Sequence, residues 1–134
     1  AAQEPGAPPI TYQLKSDRGN CLDSGSAPRV GQLVRTWDCN KSDPQRWMFE
    51  SSGSVNGKII HAGSGLCVTG EADRSVRLRT CSPGAAGQDW RVHTVQGNKK
   101  RFQNNQYGFY LRDGGSGNPV SLDPDGSVWE VTQN

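Results

Sequence analysis

Gln45-Arg46-Trp47, Gln88-Asp89-Trp90 and Ser127-Val128-Trp129 are one phrase written three times, with the tryptophans 43 and 39 residues apart. Two further series fall on the same grid. Gly19-Asn20-Cys21-Leu22 returns as Gly65-Leu66-Cys67-Val68 and aligns with Phe109-Tyr110-Leu111-Arg112. Val34-Arg35-Thr36-Trp37-Asp38-Cys39 returns as Val76-Arg77-Leu78-Arg79-Thr80-Cys81 and aligns with Val120-Ser121-Leu122-Asp123-Pro124-Asp125. In this alignment Leu111 and Asp125 stand in the third copy where the first two carry cysteines. Self-similarity at a fixed period is the mark of a repeat architecture, in which no unit buries its apolar face alone. Three copies packed around an axis can bury one.

Composition narrows the class. The 134 residues are one domain's worth. Seventeen Gly and eight Pro disfavour long helices, because both residues weaken helix interiors. Only 32% of the chain is apolar, and nothing approaches the ~18 consecutive apolar residues of a membrane-spanning helix. A net charge of +2 is too small to imply nucleic acid binding. The basic residues Arg74, Arg77, Arg79 and Arg91, and the run Lys99-Lys100-Arg101, lack the interleaved aromatics of single-strand binders; they read as solvated faces, or as a surface for an anionic glycan or acidic partner. The expectation is an all-β domain of three repeats, about 10–53, 54–97 and 98–134. Residues 1–9, Ala1 to Pro9, read as a flexible lead-in left after removal of a secretion signal.

The four cysteines, Cys21, Cys39, Cys67 and Cys81, show none of the close pairs of a zinc ribbon or redox motif. Four cysteines allow three pairings, and spacing alone does not choose among them. The repeat favours the local pairs Cys21–Cys39 and Cys67–Cys81. Disulfides in turn imply an oxidising, extracellular compartment.

Period-two alternation separates core from surface. Val76 and Leu78 are expected to point inward, and Arg77 and Arg79 to reach water. Trp47, Trp90 and Trp129 recur in every copy and are expected to pack the core. Trp37 is different, because its mates in the other copies are Arg79 and Asp123. Charged residues are hard to bury without partners, so Trp37 is expected at the surface, either packed under a loop or serving as a stacking platform. Asp23, two residues past Cys21, aligns with Thr69 and Asp113. It can cap a turn, or come near Trp37 and accept from vicinal hydroxyls of a sugar.

The Gln-x-Trp triplets, the Cys-Leu-Asp start and the paired cysteines resemble the ricin-type β-trefoil lectins over residues 11–134. The resemblance implies a β-trefoil of twelve strands, with three pseudo-symmetric lobes closed into a barrel. It also implies a sugar site in the first repeat made by Asp23, Arg35, Trp37 and Gln45. The pattern departs from the family at three places: Arg35 replaces a usual Gln, Pro44 replaces the Asn before Gln45, and Ser127 replaces a Gln. The second repeat, with Thr69 and Arg79, and the third, with Asp123, look poor as sugar sites. Tyr107, Phe109 and Tyr110 are candidates to compensate in the third.

His61 and His93 stand 32 residues apart, and no nucleophile or carboxylate pair has a supporting motif. The expectation is therefore a secreted, non-enzymatic binder of glycans, including cell-surface glycoconjugates, with galactose-type sugars implied by the family. No metal, cofactor, nucleic acid or membrane insertion is expected. The rival expectation is a trefoil with degraded pockets that serves as a protein-interaction or toxin-delivery subunit.

Overall fold

The computed structural model describes residues 9–53 and 55–134. The expectation for the N-terminal lead-in falls almost wholly on residues 1–8, which lie outside the described residues. Strands β1 (Tyr12–Ser16), β2 (Asn20–Asp23), β3 (Arg35–Asp38) and β4 (Trp47–Ser51) form the first lobe. The second holds β5 (Asn56–His61), β6 (Cys67–Gly70), β7 (Val76–Arg79) and β8 (Trp90–Gln96). The third holds β9 (Lys99–Asn104), β10 (Tyr110–Arg112), β11 (Ser121–Asp123) and β12 (Trp129–Gln133). Short 3-10 turns, Asp43–Gln45 and Ala86–Gln88, precede β4 and β8.

Six strands close into a barrel in the order β1-β4-β5-β8-β9-β12, with β12 pairing back to β1. Closure leaves these six without a free edge. Each remaining pair, β2–β3, β6–β7 and β10–β11, is an antiparallel hairpin joined to one barrel strand of its own lobe. The architecture is a β-trefoil, the fold that the resemblance to the ricin-type lectins implies.

The core repeats as the sequence does. Leu14, Ile59 and Phe102 fill it from the first strand of each lobe, and Leu22, Val68 and Leu111 from the second. Val34, Val76 and Val120 meet between the hairpins, where Val34 N–H donates to the Val76 carbonyl and Val120 N–H to the Val34 carbonyl. Trp47, Trp90 and Trp129 are each 0% exposed. Their indole N–H groups donate to the carbonyls of Leu22, Val68 and Leu111 at 2.9, 3.0 and 3.2 Å. An indole therefore contributes a large apolar body while its polar hydrogen is satisfied by the hairpin of its own lobe. In β7, Val76 and Leu78 are buried and Arg77 and Arg79 half-buried, as alternation requires.

Pairing corrects the alignment of the third repeat by one residue. Lys15 pairs with Cys21, Ile60 with Cys67 and Gln103 with Tyr110. Across the hairpins Cys21 faces Trp37, Cys67 faces Arg79 and Tyr110 faces Asp123. Tyr110, not Leu111, therefore occupies the cysteine position, because Leu111 is needed beside Leu22 and Val68 in the core. It follows that Arg112, not Asp113, matches Asp23, and that Asp113 matches Ser24 and Gly70.

That shifted position makes a contact between lobes in all three copies. Asp113 of the third lobe accepts from Ser16 of the first at 2.6 Å. Ser24 of the first meets His61 of the second at 3.2 Å. Gly70 of the second lies against Asn104 of the third, where an added Cβ would come 2.5 Å from Nδ2. Ser16, His61 and Asn104 end the first strands of their lobes, each paired with a core tryptophan. A large partner is matched by a small one at each seam, as close packing demands. At the middle seam His61 donates from Nε2 to the Asp43 carbonyl at 3.1 Å and accepts at Nδ1 from Ser64 N–H at 3.2 Å. Burial holds its pKa below the usual imidazole value, opposed by the Asp43 carbonyl and by the charges of Asp23 and Asp43.

Disulfides join Cys21 to Cys39 and Cys67 to Cys81, the two local pairs. Each closes a loop worth about 3 kcal/mol in the chain-entropy account. Reduction is therefore expected to lower Tm by more than about 10 °C, read by calorimetry with and without dithiothreitol. An unchanged Tm would contradict it.

Candidate functional site

The antiparallel register of β2 on β3 places Asp23 opposite Arg35 and Cys21 opposite Trp37. Arg35 and Trp37 share one face of β3, while Thr36 between them is buried. Trp37 is 41% exposed, the surface position expected of it. Its six-membered ring rests against Gly117, from the loop between β10 and β11. A Cβ on that residue would lie 3.1 Å from Cζ3. The Arg35 guanidinium lies over the indole, with Cζ 4.5 Å from the ring centroid, a cation–π geometry.

Asp23 is nearly sealed, at 2% exposure. Its Oδ1 accepts from Gly25 N–H at 2.7 Å and from Arg35 Nε at 3.0 Å. Its Oδ2 accepts from Gln45 Nε2 at 3.1 Å. Gly25 sits at φ +83°, a left-handed conformation that costs glycine little and turns its N–H back onto the carboxylate. Three donors offset the cost of burying that charge.

Gln45, at 1% exposure, also donates to the Asp38 carbonyl at 2.8 Å and accepts from Asn40 N–H at 2.9 Å. Gln88 makes the same two bonds in the second lobe, to the Thr80 carbonyl and from Ser82 N–H, each at 2.8 Å. The Gln of each Gln-x-Trp thus fastens a hairpin to the turn that follows it. In the third lobe Ser127 takes over more simply, accepting from Asp113 N–H at 2.8 Å.

Asp23, Arg35, Trp37 and Gln45 therefore form one connected cluster, from buried amide to carboxylate to guanidinium to open indole. The cluster is layered from inside to outside. Both N–H groups of Gln45 are spent inside, and Asp23 keeps about one free acceptor position of the four or so that a carboxylate has. Arg35 and Trp37 are the outer layer. Gly25 and Gly117 carry no side-chain signal, and they belong to the site through backbone geometry alone.

The other two lobes are built differently at this place. Thr69 donates to the Cys67 carbonyl at 3.0 Å, and Arg79 pairs with Glu71 at 2.7 Å. Thr69 and Glu71 border a cavity of about 340 Å³ lined also by Gln88, Gln106 and Tyr107. In the third lobe Asp123 lies 4.0 Å from Arg112. Phe109 and Tyr110 lie under the guanidinium groups of Arg74 and Arg101, at 4.3 and 4.1 Å. Asp113 is wholly buried at its seam. The basic residues singled out in the sequence are thus largely engaged by neighbours, Arg77 included through the Gly31 carbonyl at 2.9 Å.

Comparison with known proteins follows this geometry. The family model for the ricin-type beta-trefoil lectin domain matches residues 10–127. No match is found among curated proteins. Among solved structures, the designed 3-fold symmetric protein ThreeFoil superposes with TM-score 0.83 at 20% identity, over 91% of this chain and 97% of that one. Cytolethal distending toxin from Actinobacillus actinomycetemcomitans gives 0.80 at 13% identity, over 96% and 94%. SeviL bound to asialo-GM1 saccharide gives 0.72 at 13% identity, over 92% and 98%. At these identities the likeness is one of fold.

Proposed function

Because the chain belongs to the ricin-type beta-trefoil lectin domain family, we propose that it is a secreted carbohydrate-binding protein whose best sugar site is the first repeat. One observation carries this reading: an indole 41% exposed at the end of a side-chain cluster whose buried members are all hydrogen-bonded. An exposed tryptophan held in a fixed pose offers a flat apolar surface to the C–H face of a pyranose. Arg35, whose guanidinium lies over part of the indole, is the donor group. The free Oδ2 position of Asp23 accepts one hydroxyl, and Gln45 acts through Asp23 by holding its carboxylate. Galactose-type sugars are the family's first suggestion. The role is binding without catalysis. The two disulfides suit an extracellular setting, where cell-surface glycoconjugates are the targets. A single shallow site gains useful strength only against clustered glycans.

The second reading, a trefoil with degraded pockets that docks on protein, is favoured by one set of observations: Thr69, Arg79, Arg112 and Asp123 replace the cluster in the other two lobes. A printed glycan array separates the readings. Wild type is expected to bind a limited set of glycans, and Trp37→Ala to lose at least about tenfold in signal, the scale of a stacked aromatic contact. A blank array at high glycan density, or a signal untouched by the substitution, favours the protein-docking reading.

A further inference from the structure

The guanidinium on Trp37 bears on which sugars the first repeat can accept, a step that rests on the site proposed above. A neutral pyranose offers hydroxyl protons and needs acceptors. Asp23 has little left to give, since Gly25 N–H and Arg35 Nε fill Oδ1 and Gln45 takes one position on Oδ2. The outer layer is instead rich in donors. Arg35 spends only Nε, and its Nη1 and Nη2 groups donate to nothing among the described residues, while its side chain is 34% exposed. These two groups form the end-on fork that fits a carboxylate or sulfate with two parallel hydrogen bonds.

The fork is also held in place. The Asp23 carboxylate fixes one edge of the guanidinium at 3.0 Å, and the indole supports its plane at 4.5 Å. A long, rotamer-rich side chain has thus lost its freedom before any ligand arrives, and pre-organisation of this kind strengthens binding. The same strand position elsewhere lacks this arrangement. Arg77 gives Nη1 to the Gly31 carbonyl, and the third lobe has Ser121 opposite Arg112. Of the other carboxylates nearby, Asp38 accepts from Ser116 at 3.0 Å and Asp43 lies 3.7 Å from Arg46.

We propose that the first repeat selects saccharides bearing an anionic group. The uronate carboxylate or sulfate ester sits on the Nη1–Nη2 fork of Arg35, and the C–H surface of the ring lies on the part of Trp37 left open.

The test is calorimetric titration with methyl galactoside, methyl galacturonide and galactose 6-sulfate, on wild type, Arg35→Lys, Arg35→Gln and Trp37→Ala. Wild type is expected to prefer an acidic ligand over the neutral one by about tenfold, the scale of charge-assisted hydrogen bonds. The preference should weaken as salt rises. Arg35→Lys keeps the charge without the fork and should lose most of it. Arg35→Gln should lose it wholly and bind methyl galactoside more tightly than wild type, because Oδ1 of Asp23 and the indole face are released. A response to the galacturonide alone, the sulfate alone, or both supports the inference and identifies the anion. Equal binding of neutral and acidic sugars that Arg35→Gln leaves unchanged overturns it, with the first-repeat site intact. No binding of any sugar overturns both.

Discussion

Trp90→Ala is expected to lower the free energy of unfolding by about 3–5 kcal/mol, the range for emptying a buried aromatic site. The indole is 0% exposed, and its N–H donates to the Val68 carbonyl. The substitution therefore leaves both a cavity and an unmatched buried acceptor. Trp47→Ala and Trp129→Ala should behave alike, since each occupies the same place in its lobe. Domains of this size have about 5–15 kcal/mol in hand, so any one of the three consumes a large share. Trp37→Ala should cost under about 1 kcal/mol, as exposed positions usually do. Urea unfolding of the four variants checks the contrast. Equal losses at positions 37 and 90 would mean that the core is misassigned.

Asp113→Ala is expected to cost about 3 kcal/mol, because hydrogen bonds to a buried charge are worth more than neutral ones and their loss strands the donors. Burial alone would raise the pKa of this carboxyl. The Ser16 hydroxyl, the Gly115 N–H, the Thr36 hydroxyl and the Asn20 amide together outweigh it and hold the group below its ordinary value of 3.8. Ser16, Asn20 and Thr36 belong to the first lobe, so the carboxylate ties the ends of the repeat series together. A carboxyl depressed on folding adds stability that is fully present above its unfolded pKa. That stability is lost as pH falls through the folded one. Wild type should therefore lose urea stability from about pH 4 downward more steeply than Asp113→Asn. Parallel pH profiles for the two proteins would show that the charge does not matter at this seam.

Much of this was legible in the chain because repetition constrains more than propensity does. Three tryptophans in phase, with cysteines on the same grid, predict three lobes, their core and the exposure of Trp37. The sequence alignment slips by one residue in the third lobe, where the cysteines are missing. Without that anchor the alignment matches Leu111 to Cys67, whereas core packing matches it to Val68. The same slip sets Asp113 against Asp23, although it sits at a lobe seam. The family resemblance groups Asp23, Arg35, Trp37 and Gln45 but says nothing of their layering. Whether a carboxylate faces water or a neighbouring guanidinium depends on rotamers and on Gly25 and Gly117, which a strand pattern does not encode.

Central to the account is that saccharides meet this protein at Trp37. Four indole N–H resonances report on it in a proton–nitrogen correlation spectrum: three hydrogen-bonded inside the lobes, and the fourth on the surface. Addition of methyl galactoside or methyl galacturonide is predicted to move the Trp37 resonance alone, together with amides of Gly25 and Gly117. Indole signals that stay fixed at saturating sugar, or that shift only for a buried tryptophan, would contradict the account.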